Sequence, residues 1–262
     1  MNKSTTTFLL GSGNVAWHLS AALAAKGCHF LGIYNRTPQH AKALAEKLHC
    51  PVVTDLERVP KDADVYLICT SDKAIAPVSA LLPENNGLVI HVSGSATIDD
   101  IDKKHHRQAV MYPLQTFNKK HPMDLSNVPV FIETKSEQDL DFLTSFAHLI
   151  SDTVIPLKEE QRKILHIAAV FACNFTNYMY GLAANLMQEN GLDFQLLFPL
   201  IQETATRIEN TDNPMLLQTG PAVRNDFETI QRHLDLLGNR PDFQELYQTL
   251  TKSIREHSNG NE

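Results

Sequence analysis

Long apolar runs are missing from this chain of 262 residues. No stretch approaches the length of about 20 residues that spans a bilayer, so no membrane role is expected. Residues 1–7 are polar and lack the apolar core of a secretory signal, which makes the cytoplasm the expected location. Cysteine is scarce. Cys28, Cys50, Cys69 and Cys173 lie far apart without a C-x-x-C pair, which excludes a disulfide framework and predicts buried free thiols in a reducing compartment. Positive charge is not in surplus. A formal charge of −7 argues against a nucleic-acid surface. The histidines lack metal-ligand spacing; His105, His106 and His121 fall in polar, Lys-rich stretches, read as solvated surface, and no metal is expected. Internal repeats and low-complexity segments are also absent. What is present, 43% hydrophobic and 20% charged residues, is an ordinary globular composition, in a chain long enough for two domains.

The first 157 residues alternate short apolar runs with helical patterns. Strands are predicted at Thr7–Leu10, Phe30–Tyr34, Val65–Cys69 and Leu88–Val92, with weaker ones at Ala109–Tyr112, Val130–Ile132 and Thr153–Leu157. "VYLIC" and "LVIHV" are apolar at every position, as strands covered on both faces require. Helices between them imply a doubly wound parallel sheet, an α/β domain over 1–157. From 158 to 262 the pattern is all helical. Glu159–Gln188 reads as one long helix, apolar nearly all round, that must be buried within a domain or between subunits. Helices at Phe194–Ile208, Ala222–Leu237 and Phe243–His257 follow, with a disordered tail from Ser258.

The segment Gly11-Ser12-Gly13-Asn14-Val15-Ala16 has the form G-x-G-x-x-A between a strand and a helix. Gly11 permits the turn, Gly13 lets a pyrophosphate approach the backbone, and the helix N-terminus offers free N–H groups to phosphate. At the end of the second strand, where an acidic residue would accept from a ribose 2′-hydroxyl and mark NAD, stand Asn35, Arg36 and Thr37. Arg36 is suited to a 2′-phosphate, with Asn35 and Thr37 as further donors and Thr37 as cap of the next helix. NADP(H) is therefore the expected cofactor.

Ligands of such sheets bind beyond the carboxyl ends of the strands. Thr70 and Ser71 are expected against the cofactor. Ser93-Gly94-Ser95 and Gln115 are expected against an anionic or carbonyl substrate, although Ser and Gly also populate ordinary turns. In the long helix, Lys163, His166 and Asn174 interrupt an apolar surface at helical spacing. Either they are core polar groups bonded to backbone, or they face the cofactor, with His166 as proton donor, Lys163 as electrostatic support and Asn174 as substrate anchor. Arg224, Asp226 and His233 fall near one face of a later helix; capping by Asp226 is as good a reading as a role in a pocket or a dimer seam.

With "GSGNVAWHL", "YNRT", "HVSGS", "YPLQTF", "HIAAVFACNF" and "TGPAVRNDFETIQRHL" in view, the chain resembles a family of bacterial NADP oxidoreductases built from a Rossmann domain and a helical domain of unknown function. It is more distantly similar to the β-hydroxyacid dehydrogenase, ketopantoate reductase and pyrroline-5-carboxylate reductase group. The resemblance implies an NADP(H)-binding protein with a pocket between domains, often dimeric through the long helix. Lys163-x-x-His166 is similar to the Lys-x-x-His of 6-phosphogluconate dehydrogenases, but Ile167 stands where those have Asn. The expected function is an NADP(H)-dependent reductase of a small polar carbonyl or imine, homodimeric, with a small-molecule substrate. The alternative is a non-catalytic NADP(H)-binding sensor or scaffold.

Overall fold

A computed structural model describes residues 4–259. The chain divides into two compact units between Asn174 and Phe175. The first carries an eight-stranded sheet in the order β3-β2-β1-β4-β5-β6-β7-β8. Its strands are β1 (Thr6–Leu10), β2 (His29–Tyr34), β3 (Val52–Val53), β4 (Val65–Ile68), β5 (Leu88–His91), β6 (Gln108–Pro113), β7 (Val130–Thr134) and β8 (Val154–Pro156). Helices α1 (Asn14–Ala25), α2 (Lys42–Leu48), α3 (Asp72–Leu81), α4 (Glu137–Ala147) and α5 (Glu159–Ala169) belong to the same unit.

β1 to β6 pair in parallel, as the alternating pattern predicts. β7 pairs antiparallel with β6, and β8 follows it in parallel, so these two strands reverse the expected direction. The reason is local: residues 114–129 contain no helix to carry the chain across the sheet, so it returns from the edge it reached. The core follows the pleat. Val65 and Leu67 of β4 join one apolar layer, with Leu9, Ile33 and Ile90, while Tyr66 and Ile68 join the layer on the opposite face, with Phe8, Leu10 and Val89.

Composition placed the domain boundary at 157/158. The structure places it later because α5 packs on the sheet: Leu165 lies against Val110, Tyr112 and Phe131, and Arg162 is fully buried. After α5 the chain forms a π-helical turn, Val170–Phe175, in the middle of the predicted long helix. The second unit holds α6 (Thr176–Glu189), α7 (Phe198–Arg207), α8 (Phe227–Leu237) and α9 (Pro241–Asn259). α8 starts five residues later than predicted. Asn225 has φ 54° and Asp226 caps the helix by accepting from the Thr229 N–H, at 3.0 Å. Asp226 therefore takes the capping role, while His233 Nδ1 lies 2.8 Å from the Tyr247 hydroxyl of α9. Ser258, expected in a disordered tail, is helical, and residues 260–262 of that tail lie outside the described residues. His105 is a further correction. It is 1% exposed, its Nε2 lies 2.9 Å from the Ser79 carbonyl, and burial lowers its pKa.

Candidate dinucleotide and substrate site

The sheet order reverses between β1 and β4, and the ends of these strands carry the residues singled out by sequence. Gly11 adopts φ 108°, and its N–H donates to the Tyr34 carbonyl at 2.8 Å. A Cβ there would meet the Cys69 carbonyl oxygen at 2.3 Å, so the position admits only glycine. Gly13 caps α1 in extended conformation, and a Cβ on it would meet nothing within 4 Å. No protein neighbour demands that glycine. Its effect is to leave the α1 N-terminus open to a ligand, in a first turn without acidic side chains.

Asn35 lines a cavity at these strand ends and is also bonded within the protein. Its Nδ2 donates to Ser12 Oγ at 2.5 Å, Ser12 Oγ donates to the His40 carbonyl at 3.1 Å, and Asn35 Oδ1 accepts the Thr37 N–H at 2.9 Å. The amide thus ties the glycine loop to the end of β2. Thr37 makes no side-chain cap; it precedes a short 3-10 turn at Pro38–His40. Arg36 is exposed, lines the same cavity and makes no hydrogen bond or ion pair among the described residues.

Three cavities share walls along these strand ends. The first, about 520 Å³, is lined by Gly11, Ser12, Asn35, Arg36, Thr37, Thr70 and Ser71, among others. The second, about 410 Å³, takes in Gly13, Asn14, Val15, Thr70, Ser71, Ser93 and Gln115. The third, about 500 Å³, is walled by Val15, Asp72, Ser93, Gly94, Ser95, Tyr112, Gln115, Thr116, His166, Cys173 and Asn174. Gly13, Thr70 and Ser71 are common to the first two, and Val15, Ser93 and Gln115 to the last two. This forms a groove that suits an elongated ligand phosphorylated near Arg36, and the residues present fit a dinucleotide.

At the far end of the groove, His166 is half-buried. Its Nδ1 lies 3.0 Å from the Tyr112 hydroxyl, and Nε2 has no hydrogen-bond partner among the described residues. Gly94 makes this contact possible, since a Cβ on it would meet His166 Nδ1 at 2.6 Å and Tyr112 Cζ at 2.7 Å. Burial raises the Tyr112 pKa, which keeps the phenol protonated at neutral pH. The π-turn brings Ala172, Cys173 and Asn174 to the same wall. Cys173, expected buried, is exposed, with Sγ 3.1 Å from Thr116 Oγ1; Cys28 and Cys69 are buried, and Cys50 is intermediate.

Lys163 does not line the cavity. Its ammonium pairs with Glu159 at 2.5 Å, one turn back, and Glu159 also accepts from Thr97. The serine hydroxyls are occupied too. Ser93 Oγ accepts from the Ser95 and Ala96 N–H groups, and Ser95 Oγ donates to Asp72. Gln115 Oε1 accepts the Thr116 N–H at 2.8 Å. These contacts are made within the protein, and Ser93, Gly94, Ser95 and Gln115 all line the third cavity.

Sequence reasoning missed the group that holds this loop. Arg162 Nη1 donates to the carbonyls of Ser93, Gly94 and Ala96 at 3.0, 3.1 and 2.7 Å, and Nη2 pairs with Glu133 at 3.1 Å. His91, also fully buried, completes the support. Its Nε2–H donates to the Thr97 carbonyl and Nδ1 accepts the Ser93 N–H. Burial, and then the Arg162 charge, pushes its pKa down to about 4, so it is neutral. The available signal was spacing: Arg162 stands at i, i+4 to His166, on the buried face of α5.

A family model described as a domain of unknown function (DUF2520) matches residues 128–254, and the shikimate / quinate 5-dehydrogenase model matches residues 1–80. The search of curated proteins gives no match. Among solved structures, the "putative NADP oxidoreductase" BF3122 of Bacteroides fragilis is 39% identical over 97% of this chain and 98% of that one, with a TM-score of 0.88. Protein TM1727 of Thermotoga maritima is 22% identical, covering 97% and 99%, with a TM-score of 0.70. An imine reductase of Streptomyces aurantiacus shares the fold at 12% identity, covering 98% and 95%, with a TM-score of 0.71.

Proposed function

The chain belongs to the family of the Bacteroides fragilis protein assigned as an NADP oxidoreductase, and on that premise we propose that it is an NADP(H)-dependent oxidoreductase that reduces a small polar carbonyl or imine. One observation carries the reading: an imidazole, His166, walls the third cavity, while Arg36, unpaired among the described residues, lines the first. Arg36 would hold the 2′-phosphate at the first cavity and the glycine loop the pyrophosphate, while Gly94 and His166 wall the third cavity, where the nicotinamide end would be held. Bound NADPH supplies the hydride; the chain supplies orientation and a proton. His166 lines the third cavity with Tyr112 at its Nδ1, which leaves Nε2 as the ring atom to pass a proton to a substrate. Asn174 anchors the substrate from the same wall. The reading assigns Lys163 no contact with the substrate, because its ammonium is committed to Glu159. The test is a screen that follows NADPH absorbance with small keto acids, imines and aldehydes, repeated with His166→Gln. Turnover that survives this substitution undiminished defeats the assignment.

We further propose a cytoplasmic homodimer. The four free thiols suit a reducing compartment. In the second unit, among the described residues, only Ala222 and Phe243 count as buried apolar residues, whereas Tyr178, Leu196, Leu200, Leu216 and Leu236 are all more than half exposed. A unit with so little interior needs cover, and a second copy supplies it. Light scattering at micromolar concentration should give twice 29.3 kDa; the monomer mass would contradict the proposal.

A further inference from the structure

The segment after β6 does more than wall the cavity. Phe117, Asn118 and Lys119 are fastened to the opening of α1 at several points. The Phe117 ring lies 5.6 Å from the His18 ring, and His18 Nε2 is 2.9 Å from the Asn118 carbonyl. The Lys119 N–H reaches Asn14 Oδ1 at 3.4 Å, and its ammonium donates to the Ser12 carbonyl at 2.5 Å and stands 5.8 Å from the Trp17 ring. Ser12 and Asn14 flank Gly13, the residue that leaves the α1 N-terminus open.

The charge at this point is otherwise small. A helix N-terminus offers roughly half a positive charge, and a pyrophosphate brings about two negative ones. Arg36 is taken by the 2′-phosphate in the reading above. Lys119 has three N–H donors, and only the Ser12 carbonyl accepts one among the described residues. We infer that Lys119 is a cofactor-binding residue that places its ammonium on the pyrophosphate of the dinucleotide, from a segment far in sequence from the glycine loop. The inference rests on the cofactor reading above, and it adds a division of labour: Lys119 serves the pyrophosphate common to both nicotinamide dinucleotides, whereas Arg36 serves the 2′-phosphate found in one.

Calorimetric titration of the full chain with NADPH, NADH and adenosine 2′-monophosphate tests this. Lys119→Gln should weaken NADPH and NADH by the same factor, at least about 5-fold, as loss of a charged contact implies. It should make their affinities less sensitive to ionic strength and leave adenosine 2′-monophosphate unchanged, because that ligand has no pyrophosphate. Lys119→Arg should restore most of the loss. Equal weakening of all three ligands would mean that the side chain only holds the loop, and unchanged dinucleotide affinity would mean that it does nothing for the cofactor; either result overturns the inference. Wild-type protein that binds no dinucleotide at all would overturn the cofactor reading first, and the inference with it.

Discussion

Replacing Arg162 by methionine should damage this protein more than any change at the visible rim of the groove. The guanidinium is fully buried and serves three backbone carbonyls and one carboxylate. Methionine keeps much of the volume and removes every donor, so three carbonyl oxygens and the Glu133 charge lose their partner together. Breaking a buried ion pair from one side costs about 3–5 kcal/mol, a large part of the 5–15 kcal/mol that typically holds a domain together. With a urea dependence of about 2 kcal/mol per molar, the unfolding midpoint should fall by about 2 M. The assay can be confined to the right unit: Trp17 is the only tryptophan and packs on the core of the first unit, so its fluorescence reports that unit's transition. Adding Glu133→Gln to the methionine variant should recover about 1 kcal/mol or more, because it removes the stranded charge. A midpoint shift below about 0.5 M with an unchanged slope would show that the loop carbonyls are satisfied in some other way, and the account of the S-G-S support would fail.

His91 should give the wild type a stability that falls as pH drops from 6.5 towards about 4. In that window the unfolded imidazole takes a proton that the buried one refuses; the difference amounts to about 3 kcal/mol, fully lost below about pH 4. Thermal unfolding of His91→Gln across the window should show a flatter profile, and an unaltered one would contradict the neutral, buried imidazole. Arg36→Ala should weaken NADPH roughly 10- to 150-fold and leave NADH unchanged; equal affinity of the wild type for both would end that argument. Once a substrate is known, His166→Gln should lower turnover by about 10²–10⁴ without changing NADPH affinity, and a smaller effect would pass the proton to another group.

The glycine turn, the sheet built around it and the cationic side chain at the end of β2 were legible because each depends on a few adjacent residues with strict local demands. Gly11 is needed by a positive φ, and Arg36 stands where an acid would otherwise be. The support of the S-G-S loop was not legible. Arg162 meets Ser93 and Glu133 only when α5 is laid across β5 to β7, and its i, i+4 spacing to His166, the one local signal, names neither partner. Lys163 shows the converse failure. Helical spacing put it near His166, yet the i, i+4 carboxylate of Glu159 captured its ammonium. The apolar run that read as one uninterrupted helix hides a π-turn, because the hydrophobic pattern stays nearly continuous through it.

The reversed direction of β7 has a consequence for how such a site can change over time. A parallel successor to β6 would have required a crossover that carried the chain to the opposite end of the strands, away from the groove. Because the strand turns back instead, the segment after β6 stays beside the groove, and its exposed residues 120–122, between the fastened Phe117–Lys119 and the buried Leu125 and Val128, are free to vary. Doubling a flexible loop adds only about 0.6 kcal/mol to its closure. Insertions or deletions at residues 120–122 can thus alter the loop that carries the cavity-lining Gln115 and Thr116 while the sheet, the glycine turn and the buried arginine stay as they are, which makes this stretch a place where selectivity can drift at little cost to folding.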